Sequence, residues 1–325
     1  MNEALLTRLR CPQTGQRLHK DGAASVLAED GWLITEDGLY RYPIRNGIPR
    51  FVPEENYASN FGMQWNHFSK TQLDSFSGCP ISRNRFMRAT GWTKKDLNDK
   101  WVLDVGCGSG RFAEIALSLG ANVVALDYST AVDACFDNLK DYPRLHVLQG
   151  DIYALPFELE SFDFIYSLGV LQHTPEVSGA LTSLPAMLKS SGKICVDVYW
   201  KRFRTMMHVK YLLRPWTKRV HKGVLYRRLK ILVPPMLKTS QFLGSIPIFG
   251  KFLKRLVPVA DYTGIYPLSP LQLREWALLD TFDMLAPEFD NPQTVKQLRG
   301  LLSKAGITDI ETFHEGMLVG RGRKP

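Results

Sequence analysis

The most constraining feature of the sequence is a short apolar run that ends in an acid and a glycine-rich turn. Residues 101–103 (WVL) precede Asp104, and glycines follow at alternate positions, 106, 108 and 110. Apolar residues then recur at helical spacing, at Phe112, Ile115, Ala116 and Leu119. The pattern predicts a strand, a tight turn and a helix, with glycines where φ is positive or where a ligand approaches the backbone. The free N–H groups at the start of the helix would face that ligand.

A second acid strengthens this interpretation. Residues 122–126 (NVVAL) form another apolar run, which ends in Asp127. An acid at the tip of the second strand is placed to accept hydrogen bonds from ribose hydroxyls. Both a nicotinamide site and an S-adenosylmethionine (SAM) site fit this placement. The nicotinamide fingerprint requires a glycine at the position that Arg111 occupies here, and the observed spacing is G-x-G-x-G.

Four motifs occur in a fixed order along the chain. They are VLDVGCGSG, VVALDYS, GDIYALPF and FDFIYSLGVLQHT. Together they resemble the motifs of the class I SAM-dependent methyltransferases of the methyltransferase 11 type, over residues 100–200 and again over 291–322. The resemblance implies an α/β fold, a Rossmann-like sheet with helices on both faces. It also implies SAM as the cofactor and methyl transfer (EC 2.1.1.-) as the activity.

The resemblance also assigns the cofactor site. In that family the glycine loop holds the methionine part of SAM, so Asp127 would bind the ribose hydroxyls, Asp151 the adenine amino group, and Ile152 would pack on the adenine ring. The expected cofactor-binding residues are Asp104, Gly106, Cys107, Gly108, Gly110, Asp127, Tyr128, Asp151, Ile152 and Leu168. The alternative for Asp127 and Asp151 is that they only cap a helix or a turn. Their place where a parallel sheet opens its ligand crevice favours the cofactor.

The length and composition of the chain restrict its domain number and the compartment in which we expect it. A chain of 325 residues is long enough for one large domain with an extension. Its five cysteines are scattered and odd in number, which predicts a reducing compartment without a disulfide framework. The first residues lack the apolar core of a signal peptide, and no apolar stretch reaches the length of a membrane span. We expect a cytoplasmic protein, with peripheral contact to the inner face of the membrane left open.

We expect three units, residues 1–55, 56–99 and 100–325. The first is a β-rich module with hairpin turns at Asp37-Gly38 and Asn46-Gly47. Its pattern from LRCPQTG to YPIRNGIP resembles the zinc-ribbon-like activator module known from partners of tRNA methyltransferases. Thr14 replaces the second cysteine of the C-x-x-C pair that would begin at Cys11, so we expect no metal site.

Residues 56–75 carry aromatic side chains at helical spacing, Tyr57, Phe61, Trp65 and Phe68. Two interpretations are open: these rings cover the cofactor pocket, or they pack between domains, which we favour. Arg83 and Arg85 are within reach of a cofactor carboxylate, although arginines on a solvated face are commoner. Further along, Thr174-Pro175-Glu176 is predicted to open a helix that Pro185 kinks. A closing helix over 293–305 and two strands in ITDIETF and MLVGRGR would complete the sheet.

The insertion over residues 201–290 is the most individual part of the chain. Its first sixty residues hold 15 of the 41 lysines and arginines and no Asp or Glu, so the net charge of +9 arises there. Three interpretations compete. The segment is a basic amphipathic element for an anionic membrane, a surface for RNA, or a helical lid over the acceptor pocket. The lid and the membrane contact are compatible, and RNA ranks last because no RNA-binding motif accompanies the charge.

The expected chemistry is attack by an acceptor atom on the methyl group of SAM, with the protein supplying position and exclusion of water. His173, which follows the fourth strand, is the candidate base, and its alternative is a histidine that only bonds a loop. Weaker acceptor-site candidates are Tyr166, Tyr262, Tyr266 and Asp283. The sequence thus predicts a methyltransferase for a small-molecule or lipid-linked acceptor. The alternatives are an RNA methyltransferase and a non-catalytic SAM-binding adaptor.

Overall fold

The computed structural model describes residues 3–21, 30–53, 56–203 and 209–325. Parts of two predicted units, residues 22–29 and 54–55 of the N-terminal module and 204–208 of the insertion, lie outside these ranges. The N-terminal module contains helix α1 (Glu3–Leu6) and an antiparallel sheet of four strands: β1 (Leu18–Lys20), β2 (Gly31–Thr35), β3 (Arg41–Arg45) and β4 (Ile48–Pro49). Both predicted turns are present: φ is 72° at Gly38, and it is 52° and 73° at Asn46 and Gly47. The positive φ values match the turn chemistry that Asp-Gly and Asn-Gly favour.

The N-terminal module is packed on the rest of the chain. Leu9, Leu33 and Ile44 belong to the same buried cluster as Leu126 and Ile165 of the large sheet. Backbone contacts reinforce this packing, because the N–H of residue 51 donates to the carbonyl of residue 149 at 2.8 Å. Burial of shared apolar surface therefore holds the module in place. Its likeness to a zinc ribbon stays a prediction.

The segment that follows is helical but broken into four pieces. They are α2 (Ser59–His67), α3 (Asp74–Ser77), α4 (Ile81–Thr90) and α5 (Lys94–Leu97). The helix predicted from the aromatic spacing, Tyr57 to Phe68, is confirmed over Ser59–His67, with Tyr57 and Phe68 just outside its ends. The first helix ends at Phe68, which caps it with a non-helical backbone.

The predicted alternation of strands and helices is confirmed in the large sheet. Its elements are β5 (Trp101–Val105), α6 (Ala113–Ser118), β6 (Asn122–Asp127), α7 (Ala131–Leu139), β7 (Leu145–Gln149), β8 (Phe162–Ser167), α8 (Val177–Ser183) and β9 (Leu188–Val198). The predicted helix cap at Thr174 was two residues early, because Glu176 precedes the first helical residue. Pro185 does not kink that helix, which ends at Ser183, but opens a short 3₁₀ turn (Pro185–Met187), because proline tolerates a first helical turn better than an interior.

The insertion is helical, with α9 (Lys210–Thr217), α10 (Lys222–Gly244), α11 (Gly250–Leu253) and α12 (Pro270–Leu285). Its core is a stripe on α10 at four-residue spacing, Leu225, Leu229, Val233 and Leu237, which packs against Ala277, Phe282 and Leu285. Within the described ranges, no helix combines the length and the apolar character that a membrane crossing needs.

The chain closes with α13 (Val295–Lys304), β10 (Thr308–Glu315) and β11 (Met317–Arg323). The large sheet has the strand order β10-β11-β9-β8-β5-β6-β7. Strands β5 to β9 are parallel, and β10 and β11 form the predicted antiparallel hairpin at one edge. The predicted α/β fold with a Rossmann-like sheet is confirmed. Ligands of such a sheet bind beyond the carboxyl ends of its parallel strands.

Candidate active site

The glycine loop lies at the carboxyl end of β5 and has the predicted backbone. Gly106, Gly108 and Gly110 have φ values of 85°, 53° and 93°. A Cβ at Gly106 would approach Val170 to 2.4 Å, and a Cβ at Gly110 would approach Leu139 to 2.6 Å. A side chain at either position would therefore be strained in φ and blocked by its surroundings. The loop can adopt this shape only with glycine.

Asp127 holds the glycine loop from the neighbouring strand. Its Oδ2 accepts a hydrogen bond from the N–H of Gly108 at 2.9 Å, and its Oδ1 accepts from the backbone and hydroxyl of Ser129 at 2.8 and 2.7 Å. Burial raises the pKa of this carboxyl, and the hydrogen bonds from Ser129 and the loop oppose the rise. Asp127 thus makes the capping contacts of the alternative interpretation and also lines the cavity beside the loop.

One cavity of about 510 Å³ opens above the carboxyl ends of β5, β6 and β8. This volume is in the range of small-molecule sites. Most of the expected cofactor-binding residues line it, namely Gly106, Cys107, Gly108, Asp127, Tyr128, Ile152 and Leu168. Their direct role in binding stays a prediction.

Three expected cofactor residues are not among those that line the cavity: Asp104, Gly110 and Asp151. The Asp104 carboxyl is buried behind the loop, beside the Tyr166 hydroxyl. The Asp151 carboxylate accepts a hydrogen bond from the N–H of Tyr153 at 2.9 Å, the turn-capping contact of the alternative interpretation. These three positions shape the loops around the cavity. Tyr166, a weaker acceptor candidate, is also fully buried away from it.

The aromatic residues of α2 and the turn before it form one wall of the cavity. Tyr57, Phe61 and Trp65 all line it, and the Trp65 indole would lie 3.1 Å from a Cβ at Gly108. Tyr57 also stacks on Tyr128, with ring centroids 4.8 Å apart. Both interpretations of these rings hold: Tyr57 and Phe61 pack on Tyr128 and His173 of the large domain, and all three rings line the cavity. They cover the glycine loop because only glycine leaves room for an indole there.

His173 lies in the 3₁₀ turn Leu171–His173 and lines the cavity. Its Nδ1 is 3.0 Å from the carbonyl oxygen of Phe289, and a carbonyl only accepts, so Nδ1 carries a proton. Its Nε2 is buried and has no hydrogen-bond partner among the described residues. The Asp283 carboxylate lies 3.9 Å from that nitrogen. The ring therefore lines the cavity and keeps one buried, unpaired acceptor nitrogen beside the Asp283 carboxylate.

The opposite wall is polar and was largely missed from the sequence. Arg85 pairs with Asp197 at 2.7 Å, while Arg83 is exposed and outside the cavity. Arg111 donates to Ser82 at 2.9 Å and to Gln72 at 2.7 Å. Burial, aided by the nearby Arg85, lowers the pKa of Arg111 to about 10. Its position directly after the glycine loop was the available sequence signal.

The insertion supplies the rest of the lining. Tyr262 and Tyr266 stack with ring centroids 5.1 Å apart, and the Tyr262 hydroxyl donates to Asp280. Burial raises the pKa of Asp280 to about 6, and the Asp283 carboxylate adds to the rise while Tyr262 and Arg111 oppose it. Three of the four weaker acceptor candidates, Tyr262, Tyr266 and Asp283, thus line one cavity. Asp280 had no sequence signal, because it lies far along the chain from every motif.

The cavity fits a bound polar ligand such as SAM. Besides the His173 ring, the Gln64 amide and the Ser109 hydroxyl line it, and both are buried without a hydrogen-bond partner in the described part of the chain. Buried polar groups are seldom left unpaired, so such groups at a cavity indicate a ligand that bonds them. The described residues contain no group of three His, Cys, Asp or Glu that is arranged for a metal ion.

Comparison with known proteins agrees with this geometry. Residues 103–196 match the family described as "Methyltransferase domain" (Methyltransf_11). The tRNA U34 carboxymethyltransferase of Shewanella sediminis is 37% identical over 106 residues, 31% of this chain and 32% of that protein. The ubiquinone biosynthesis O-methyltransferase of Bartonella quintana is 32% identical over 173 residues, 49% and 65% of the two chains. The chain thus spans about one third of the length of the Shewanella sediminis protein and just under two thirds of the length of the Bartonella quintana protein.

Among solved structures, PigF with SAH is similar with a TM-score of 0.48 and 12% identity, over 84% of this chain and 63% of that one. The family match covers the glycine loop, Asp127, Asp151 and strand β8. It agrees with a cavity lined by glycine backbone, Asp127 and unpaired polar groups. The cofactor of this domain is SAM.

Proposed function

We propose that this chain, whose residues 103–196 form a SAM-dependent methyltransferase domain, methylates a hydroxyl group of an apolar small-molecule or lipid-linked acceptor. One observation carries the proposal. The cavity that contains the glycine loop is also lined by His173, whose Nε2 is buried without a hydrogen-bond partner among the described residues, so the proposed cofactor site and the candidate base share one cavity. The relative from Bartonella quintana, an O-methyltransferase of ubiquinone biosynthesis, supports oxygen as the methylated atom.

The cofactor half of the cavity is formed by the glycine loop and its neighbours. Gly106 and Gly108 would lie against the methionine part of SAM, and Asp127 would accept hydrogen bonds from its ribose hydroxyls. Ile152 and Leu168 would supply an apolar surface for its adenine ring. When bound, SAM supplies an activated methyl group on a positively charged sulfur. Burial raises the pKa of the Cys107 thiol well above its usual range, so this residue contributes a neutral, compact wall.

The acceptor half is formed around His173. Its Nε2 would take the proton of the acceptor hydroxyl as the oxygen attacks, and Nδ1–H keeps the ring oriented through the carbonyl of Phe289. The Asp283 carboxylate, 3.9 Å away, would stabilise the imidazolium that forms. The rings of Phe61 and Tyr199 flank the imidazole at 5.3 and 5.4 Å and exclude water from it.

The aromatic lining indicates an apolar acceptor. Tyr262, Tyr266 and Trp276 form a cluster of rings at the cavity, with centroid distances from 5.1 to 5.7 Å. Such a surface suits a ring or an unsaturated chain better than a highly charged group. The proposal places the enzyme in the cytoplasm, which its five free cysteines support.

Two alternatives have their own support. The relative from Shewanella sediminis is a tRNA U34 carboxymethyltransferase, and the insertion is strongly basic, which together support an RNA acceptor. A non-catalytic adaptor would keep the cofactor half and leave the acceptor half unused. Incubation with methyl-labelled SAM and either a membrane lipid extract or total RNA separates the three. Transfer of the labelled methyl group to lipid supports the proposal, and transfer to RNA supports the RNA methyltransferase. Transfer to neither supports the non-catalytic adaptor.

The role of His173 is tested by His173→Ala. We expect turnover to fall about 10²- to 10⁴-fold, the usual contribution of a general base, with the affinity for S-adenosylhomocysteine unchanged. His146→Ala is a matched control, because His146 is equally buried but stacks on Trp101 outside the cavity. Turnover by His173→Ala that equals that of the wild type would remove this residue from the mechanism.

A further inference from the structure

The insertion contains an exposed apolar hairpin between α10 and α11. The residues of this apolar tip are Phe242, Ile248, Phe249, Phe252 and Leu256, at the end of α10 and around α11. Ile248 is 93% exposed and Phe249 is 64% exposed. Single exposed apolar residues are ordinary, but five large ones within fifteen residues of sequence mark an interaction surface.

The apolar tip is exposed although the same helix has a separate buried face. The stripe from Leu225 to Leu237 already packs α10 on α12. The opposite side of α10 carries Ile231, which is exposed, and continues to Phe242. The exposed apolar residues are therefore not needed for the core of the insertion. They form a second apolar face that points to solvent.

The backbone holds the apolar tip in a strained, tight turn. Ile248 has φ of 66°, a left-handed conformation that is rare for a β-branched residue. The turn is close-packed, because a Cβ at Gly250 would lie 2.5 Å from the carbonyl oxygen of Gly244. Strain of this kind persists where surrounding structure fixes it and is commonest at functional sites.

The charge around the apolar tip selects one kind of partner. Arg227, Arg228, Lys230, Lys238 and Arg255 are exposed on α10 and just after α11. Residues 201–260 contain no Asp or Glu, so nothing in this stretch offsets the positive charge. Exposed apolar side chains at the end of a helix that carries long basic ones match an anionic lipid surface, where the apolar groups enter the acyl boundary and the cations meet phosphates.

Nucleic acid fits this surface less well. Two of the five residues of the apolar tip, Ile248 and Leu256, are aliphatic and offer no ring for a base to stack on.

We propose that the apolar tip inserts into the headgroup region of anionic membranes and anchors the enzyme there. The same insertion lines the cavity through Ala260, Tyr262 and Asp283. The docking itself does not depend on the proposed activity.

The experiment is co-sedimentation of the full chain with vesicles of two compositions, equimolar phosphatidylcholine and phosphatidylglycerol, and phosphatidylcholine alone. The double variant Ile248→Asp/Phe249→Asp tests the apolar tip. Leu39→Asp is the matched control, because Leu39 is an equally exposed apolar residue on the N-terminal hairpin. S-adenosylhomocysteine binding by each variant reports that the fold is intact.

We expect the wild type and Leu39→Asp to bind the anionic vesicles, and the double variant to bind at least about tenfold more weakly. Binding to pure phosphatidylcholine should be weak, and salt should weaken binding to the anionic vesicles. The proposal is overturned if the wild type does not bind the anionic vesicles, or if the double variant binds as well as the wild type. It is also overturned if total RNA binds in place of vesicles.

Discussion

The buried acid behind the glycine loop should make the stability of the protein fall as pH rises. Asp104 is 2% exposed, and burial raises the pKa of its carboxyl to about 8, with the nearby Asp127 carboxylate adding to the rise. In the unfolded chain an aspartate has a pKa of about 3.9. Between these two values the native state holds a proton that the unfolded state has lost. The native state is therefore disfavoured progressively as pH rises through this interval.

Two other buried groups, Asp280 and His146, limit the pH range over which Asp104 alone determines the change in the free energy of unfolding. Burial raises the pKa of Asp280 to about 6 and lowers that of His146 to about 4. Asp280 acts in the same direction as Asp104 but only below about pH 6, and His146 acts in the opposite direction below about pH 6.5. From about pH 6.5 to pH 8, Asp104 dominates. At about 1.4 kcal/mol per pH unit, the free energy of unfolding should fall by about 2 kcal/mol across this window.

Urea denaturation of Asp104→Asn at the two ends of the window measures this effect. The amide does not ionise, so the variant should lose much less stability than the wild type between about pH 6.5 and pH 8. Asp137→Asn, at an exposed position on α7, should follow the wild type. Parallel pH dependences for the wild type and Asp104→Asn would refute the assignment of this proton to Asp104.

Two further substitutions test the loop and the insertion. Gly106→Ala places a Cβ 2.4 Å from Val170 at a φ of 85°, so we expect a loss of about 1–3 kcal/mol in urea denaturation together with weaker S-adenosylhomocysteine binding. Wild-type stability in this variant would show that the loop is pliable. Leu229→Ala in the buried stripe of α10 should cost about 2–5 kcal/mol. Leu232→Ala, half exposed on the same helix, should change stability by less than about 1 kcal/mol, and equal losses would contradict the packing described for α10.

The sequence predicted the parts of the fold that depend on local pattern. The strand before Asp104, the glycine turn and the strand that ends in Asp127 were each predicted from a few neighbouring residues, because apolar runs and glycines act over short distances. The same holds for the hairpin turn at Asn46-Gly47. Helix ends were less predictable. Pro185 begins a 3₁₀ turn where a kink was expected, since proline is compatible with both.

The acceptor half of the site could be predicted only in part. His173 was identified from its place after the fourth strand, but its position beside Asp283 depends on how the insertion folds back over the sheet. The positions of Asp280 and of Trp65 in the cavity wall also depend on the tertiary fold, because both residues lie far in sequence from the glycine loop that they approach. No periodicity or spacing records such contacts, so a single sequence leaves them open. The glycine at position 108 was the one local sign that something packs closely there.

The central claim is that the cavity beside Asp127 binds SAM, and calorimetric titration with S-adenosylhomocysteine tests it most directly. The wild type should bind with micromolar affinity. Asp127→Ala should lose binding, because it removes the proposed acceptor for the ribose hydroxyls and frees the N–H of Gly108. Asp137→Asn should bind as the wild type does. Failure of the wild type to bind, or equal binding by Asp127→Ala, would contradict the assignment of the cavity.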